Sequence, residues 1–255
     1  MNDPFALDGE HVLITGGSSG LGRFFAVFLA AHGARVTVAA RRIEALTKTV
    51  DDIRATNGQA HSVVMDVTAA ASIESALNAA EARFGPVEIL VNNAGVTATR
   101  PAFDQDETDW DKVVDTNLKG VWLVAQAAGR RMVTHKLRGS IVNIASILGL
   151  RVASSVAPYA ISKAGVVQMT KVLALEWARH GIRVNALAPG YFETELNDDF
   201  FEGDAGQALI KRIPQRRLGE LRELEGPLLL LASKAGSYMT GSVIVVDGGH
   251  LVSSL

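Results

Sequence analysis

Apolar and polar positions fall into blocks along this chain. Short runs rich in β-branched residues stand at His11–Thr15, Arg35–Ala40, Ala60–Met65, Glu88–Asn92, Ser140–Ser146, Arg183–Leu187 and Ser242–Val246. They do not alternate between apolar and polar, which is the pattern of parallel strands covered on both faces. Helical periodicity fills the intervals Leu21–His32, Ile43–Asn57, Ala70–Phe84, Thr108–His135, Val156–His180 and Glu220–Ser233. Gly33, Gly58, Gly85, Gly139 and Gly181 each fall where a helix should end, a place that favours a left-handed residue. This alternation predicts an α/β, doubly wound fold: a seven-stranded parallel sheet flanked by helices on both faces.

No linker, charge block or low-complexity segment divides the chain, so residues 1–255 read as a single domain. One interval breaks the rhythm. Residues 191–217 exceed the usual connection of about two to six residues and follow a strand's carboxyl end, where open α/β sheets bind ligands. They read as a substrate-covering loop or as an ordinary surface excursion.

Composition narrows the function classes. Hydrophobic residues make up 48% and charged residues 20%, and the formal net charge is −2. That leaves no electrostatic footprint for nucleic acid or an anionic membrane. Cysteine is absent, so neither a disulfide framework nor a thiolate metal site is expected, and a cytoplasmic location fits. The six histidines are scattered without a His-x-x-x-His pair, and no metal site is expected. The polar, acidic start carries no signal-peptide pattern. No uncharged apolar stretch reaches the ~18 residues of a membrane span.

The first predicted strand runs into Thr15-Gly-Gly-Ser-Ser-Gly-Leu-Gly22 and then a helix. Gly16, Gly20 and Gly22 permit a sharp turn, and Ser18, Ser19 and Leu21 complete it. The helix start behind it offers amides and a positive dipole end to a pyrophosphate, so the turn reads as a dinucleotide site or as a tight structural turn. After the second strand an acid would accept hydrogen bonds from the ribose of NAD. Arg41 and Arg42 stand there instead. Guanidinium forks suit the 2′-phosphate of NADP, and cations are otherwise disfavoured at a helix start. NADP(H) is therefore favoured over NAD(H).

Tyr159 and Lys163, four positions apart, share a helix face. A free tyrosine titrates near ~10. A neighbouring ammonium favours the phenolate and draws that value toward neutrality, where proton transfer is efficient. Ser146, 13 residues before Tyr159, is placed to hold a substrate oxygen. The bland alternative is a buried tyrosine with a solvated lysine.

Further marks are Asp66-Val67, Asn92-Asn-Ala-Gly95, Asn117 in Asp115-Thr-Asn-Leu, Pro189-Gly190 with Thr194, and Asp247-Gly248-Gly249. With these in order, the chain resembles the short-chain dehydrogenase/reductase family over essentially its whole length. The resemblance implies a Rossmann-type fold. It implies that Tyr159 gives a proton to a carbonyl oxygen or takes one from an alcohol. Lys163 would depress its pKa and bond the nicotinamide ribose, Ser146 would orient the oxygen, and Asn117 would hold a relaying water. Asp66 and Val67 would bind adenine, Asn93, Ala94 and Gly95 would line the adenosine side, and Pro189, Gly190 and Thr194 would face the nicotinamide end. Ser19 departs from the Arg or Lys of many NADP-using members, which leaves cofactor choice resting on Arg41 and Arg42.

Val96, Ile147, Leu148, Val152, Val156, Tyr191 and Phe192 are expected to line the substrate side, which suits a medium-sized ketone or secondary alcohol with an apolar body and not a sugar phosphate. Arg217-Leu-Gly219 and Tyr238-Met-Thr-Gly241 resemble the β-ketoacyl carrier-protein reductases within the family. For a carrier substrate, Arg130, Arg131, Lys136 and Arg138 would form the docking patch, or else a solvated basic face. The expected function is an NADPH-dependent carbonyl reductase. An NAD-dependent alcohol or hydroxysteroid dehydrogenase and a non-catalytic dinucleotide sensor are the alternatives. The resemblance implies a homotetramer with one interface through Thr108–His135 and Val156–His180 and the other through the last strand and the tail His250–Leu255. Ala127, Ala128, Val166, Val167, Met169 and Val172 suit that packing or a monomer's core equally.

Overall fold

A computed structural model describes residues 3–193 and 201–253 of the chain. Seven strands form one parallel sheet: β1 (His11–Thr15), β2 (Arg35–Ala40), β3 (Gln59–Val64), β4 (Ile89–Asn92), β5 (Ser140–Ile144), β6 (Arg183–Pro189) and β7 (Val243–Val246). Their spatial order is β3-β2-β1-β4-β5-β6-β7, and Val12 of β1 pairs with Val36 on one side and Ile89 on the other. The strand order reverses between β1 and β4, so a crevice opens beyond their carboxyl ends.

Among the described residues the α-helices are α1 (Gly20–Ala31), α2 (Ile43–Ala55), α3 (Ala70–Phe84), α4 (Glu107–Val114), α5 (Val121–Thr134), α6 (Ala157–Trp177), α7 (Asp204–Ile210) and α8 (Glu225–Ala232). Successive residues of β1 enter different cores. Val12 and Ile14 pack with Phe25, Leu29, Leu46 and Leu228, whereas Leu13 packs with Met65, Ile73, Leu77 and Met132. Both faces are therefore dry, which explains the unalternating runs. Each fully buried aliphatic side chain contributes about 1.5–3 kcal/mol. The sheet and α6 are also joined by polar contacts: Asn92 Nδ2 donates to Asn143 Oδ1, and Asn143 Nδ2 donates to Thr170 Oγ1, each at 3.0 Å.

Three expectations need correction. The interval Thr108–His135 is not one regular helix, because Asp115–Gly120 is a π-helical segment between α4 and α5. Such bulges gather at functional sites. Gly33, Gly85 and Gly181 end their helices with positive φ, but Asn57 and Lys136 take that conformation ahead of Gly58 and Gly139. Those two glycines instead make room for Ile53 and for the Met132 sulfur. Residues 191–217 are not wholly loop, since α7 lies within them and Phe192 bridges to Gly219. Among the described residues, no helix is long and apolar enough to cross a membrane.

Candidate active site

A cleft of about 360 Å³ opens at the reversal point beyond β1 and β4. Gly16, Ser18, Ser19, Gly20, Leu21, Arg41, Arg42, Asp66, Val67, Asn93, Ala94 and Gly95 line it, as the sequence led us to expect. Thr116, which the motif reading did not single out, lines it too; its position beside Asn117 was the available signal. Gly16 has φ +67°, and a side chain there would strike the Ala94 backbone at 2.9 Å. Gly22 does not face the cleft. It lies behind the turn, where a Cβ would collide with the Gly16 carbonyl and the Asn93 amide, so its role is close packing of α1 on the turn. Thr15 fixes the far wall, its Oγ1 accepting from the N–H of Asn93 at 3.0 Å and of Ala94 at 3.1 Å.

The polar walls differ in charge. Asp66 accepts from the Thr68 N–H and hydroxyl at 2.9 and 2.7 Å, which holds its carboxyl below the usual range, with a smaller contribution from the Arg41 charge. Arg41 and Arg42 are exposed, and neither forms an ion pair among the described residues. This donor set fits a dinucleotide phosphate: a side-chain-free turn at a helix start, with two uncommitted guanidiniums alongside.

Beyond the carboxyl end of β5, Ser146 enters a 3₁₀ turn, Ile147–Gly149, and its Oγ accepts from the Leu148 N–H at 3.1 Å. The turn rests directly on α6. A side chain at Gly149 would lie 2.7 Å from the Lys163 carbonyl carbon and oxygen. Tyr159 and Lys163 share one face of α6, with Lys163 Nζ 5.6 Å from the Tyr159 ring centre. Lys163 is buried, and burial lowers its pKa to about 8. Its Nζ donates to the Ile144 carbonyl at 2.8 Å.

The expected downward pull of Lys163 on Tyr159 is not what this geometry gives. Burial raises the phenol, a contact with the Ser146 hydroxyl works against that, and Tyr191 adds a smaller upward push. The ammonium is turned toward Ile144, not toward the phenol oxygen. Asn117, buried in the π-helical segment, spends its side chain on the Val96 backbone at 2.8 Å in both directions. Its Nδ2 also reaches Ser162 Oγ on α6 at 3.4 Å. Asn117 thereby links the cleft wall to the helix that carries Tyr159.

Pro189 and Gly190 close β6, and Gly190 packs on Asp247 with room for no side chain. Thr194 lies outside the described residues. The apolar substrate wall is smaller than expected. Ile147 and Phe192 are buried, Phe192 in the core beside Gly219, and Val152 points to solvent at 86% exposure. Val96, Leu148, Val156 and Tyr191 remain half-buried. The carrier-docking patch fails on direction. Arg130, Lys136 and Arg138 precede β5 and so lie at the amino edge of the sheet, whereas Ser146 follows its carboxyl end. Arg131 is committed to Glu74 and Glu81.

Residues 16–250 match the family model described as Enoyl-(Acyl carrier protein) reductase. Gluconate 5-dehydrogenase of Gluconobacter oxydans (strain 621H) is 38% identical over 252 residues, spanning 98% of either chain. Among solved structures, a short-chain type dehydrogenase/reductase from Mycobacterium marinum superposes with a TM-score of 0.92 at 41% identity, covering 97% of this chain and 98% of that one. A gluconate 5-dehydrogenase from Burkholderia cenocepacia J2315, in complex with NADP and tartrate, gives 0.94 at 39% identity and 99% coverage of both.

Proposed function

The chain belongs to the short-chain dehydrogenase/reductase family and is an oxidoreductase acting on CH–OH/C=O groups; from there we propose that it uses NADP(H) to interconvert a ketone and a secondary alcohol on a small polyhydroxylated acid. The observation that carries the chemistry is the placement of Ser146, Tyr159 and Lys163 at the carboxyl end of β5, coupled to the glycine-lined cleft through Asn117 and Val96. The glycine turn would hold the pyrophosphate, Asp66 and Val67 the adenine, and Arg41 with Arg42 the 2′-phosphate. A nicotinamide held there would supply the hydride chemistry at the substrate carbon.

The chain's own groups manage the oxygen and the proton. Ser146 and Tyr159 hold the substrate oxygen, and Tyr159 supplies its proton in reduction or removes it in oxidation. The burial that raises this phenol keeps it protonated at neutral pH, the form reduction requires. Lys163, its ammonium bonded to the Ile144 carbonyl and 5.6 Å from the Tyr159 ring centre, would have to turn toward the phenol to stabilise a phenolate. Trp110, Trp122, Val172 and Leu175, exposed on α4, α5 and α6, support assembly of a homotetramer through those helices. Ala127, Ala128, Val166 and Val167 belong to the subunit's own core.

A sugar acid is supported by relatives named gluconate 5-dehydrogenase and by the reduced apolar wall. A second reading, an apolar ketone or β-keto compound, is favoured by the half-buried Val96, Leu148 and Val156. The test is NADPH and NADH binding followed by turnover of 5-keto-gluconate and an aryl ketone. Tighter NADPH binding with keto-acid reduction, abolished by Tyr159→Phe, is expected. A preference for NADH overturns the assignment of Arg41, and turnover of the aryl ketone alone moves the second reading to first place.

A further inference from the structure

Arg151 stands five residues beyond Ser146, its backbone N–H bonded to the Ile147 carbonyl at 2.8 Å. The guanidinium is half-buried, and one nitrogen, Nη1, meets the His250 carbonyl and Ser253 Oγ. Nε and Nη2 have no partner among the described residues, and no carboxylate pairs with this side chain. Asp247, the acid nearest in sequence to that turn, is spent on the N–H groups of Gly249 and Leu251. A guanidinium with two unengaged donors and no carboxylate partner among the described residues is open to an anion.

Its surroundings lead back to the reacting oxygen. The charge of Arg151 acts on Tyr191, and Tyr191 in turn acts on Tyr159. The Tyr191 ring lies 5.5 Å from that of His250. His250 Nδ1 is buried without a partner among the described residues, and the Arg212 charge also reaches this ring. Polar groups therefore run from Ser146 and Tyr159, past Tyr191, to a positive end at Arg151.

We propose that Arg151 is the specificity-determining residue of this site: its free Nε and Nη2 fork takes a carboxylate at the far end of the substrate, away from the carbon that reacts. The inference deepens the substrate reading above and rests on it. A guanidinium fork grips a carboxylate with two parallel hydrogen bonds, and a neutral analogue leaves it unpaired. Arg151 acts on selectivity and has no part in the proton transfer.

Two matched pairs of probes test this on the NADP(H)-loaded protein. Gluconate and glucitol differ in the carboxylate, and binding is read from cofactor fluorescence. Levulinate and its methyl ester differ likewise, and turnover is read from NADPH consumption. The acid of each pair is expected to be favoured about 10- to 100-fold. Arg151→Gln removes that preference while leaving NADP affinity and the neutral probe unchanged, and Arg151→Lys restores part of it. A merely structural strap on the C-terminal turn would weaken acid and neutral probes alike, and that result overturns the proposal. So does a wild-type protein without acid preference in either pair. Preference for levulinate without gluconate binding sinks the sugar-acid reading and leaves Arg151 in its role.

Discussion

Asn117 and Val96 are joined twice, the side-chain Nδ2 donating to the Val96 carbonyl and Oδ1 accepting from its N–H, both at 2.8 Å. Val96 lines the cleft, and Asn117 sits in the π-helical segment, so this pair couples cofactor wall to catalytic helix. Asn117→Ala leaves two backbone groups unpaired, each costing about 1–3 kcal/mol. A lower melting temperature with weakened NADP affinity is expected, measured by calorimetry and fluorescence titration. Unchanged cofactor affinity would confine Asn117 to a structural part.

Tyr159→Phe keeps the ring and removes the proton. Turnover should fall by about 10²- to 10⁴-fold, with NADPH binding and melting temperature intact. Equal loss of binding would place Tyr159 in the cofactor site instead.

Lys163 titrates at about 8 in the folded protein against an ordinary 10.5. Between those values the unfolded chain binds more protons, so native stability rises with pH across that window. The stability of wild type relative to Lys163→Met should therefore increase from pH 8 to pH 10.5 in urea unfolding. A flat difference would mean that the lysine is not buried as a cation.

How far the molecule was legible follows from what each signal depends on. β1 and β2 were found to the residue because both faces are dry. The Asp115–Gly120 bulge was hidden, since one widened turn leaves the apolar spacing around Leu118 and Val121 looking helical. The cleft residues were legible because glycine spacing is a backbone property. Ile147 and Val152 were misread because a 3₁₀ turn between Ser146 and α6 decides which side chains point inward. The wrong edge of the Arg130–Arg138 patch was deducible from strand direction alone.

Arg41→Ala should weaken NADPH binding about 10- to 100-fold, the value of a charged hydrogen bond of about 1.5–3 kcal/mol. NADH binding should stay as it was, and the salt dependence of NADPH binding should shrink. Equal effects on both cofactors would remove Arg41 from the 2′-phosphate site.

His11, buried in β1, bonds the Gly85 carbonyl and Thr37 Oγ1 at 2.8 Å each, and burial lowers its pKa from 6.5 to about 4. The unfolded chain binds the extra proton in that window, so stability is full above pH 6.5 and is lost as pH falls toward 4. The loss amounts to roughly 3 kcal/mol. His11→Asn should flatten the acid limb of the melting profile, and an unaltered limb would assign it to carboxylates.

Gly149 carries one more consequence. Backbone rests on backbone there, with no side chain between the serine turn and the lysine carbonyl. At this point the spacing between the Ser146 turn and α6 is thus gauged by main chain alone. On the role proposed for Arg151, exchanging that side chain would alter the preference for substrate while this backbone contact stays in place. A side chain at residue 149 would wedge the serine turn off the helix that carries Tyr159 and Lys163, so this glycine keeps the two in register.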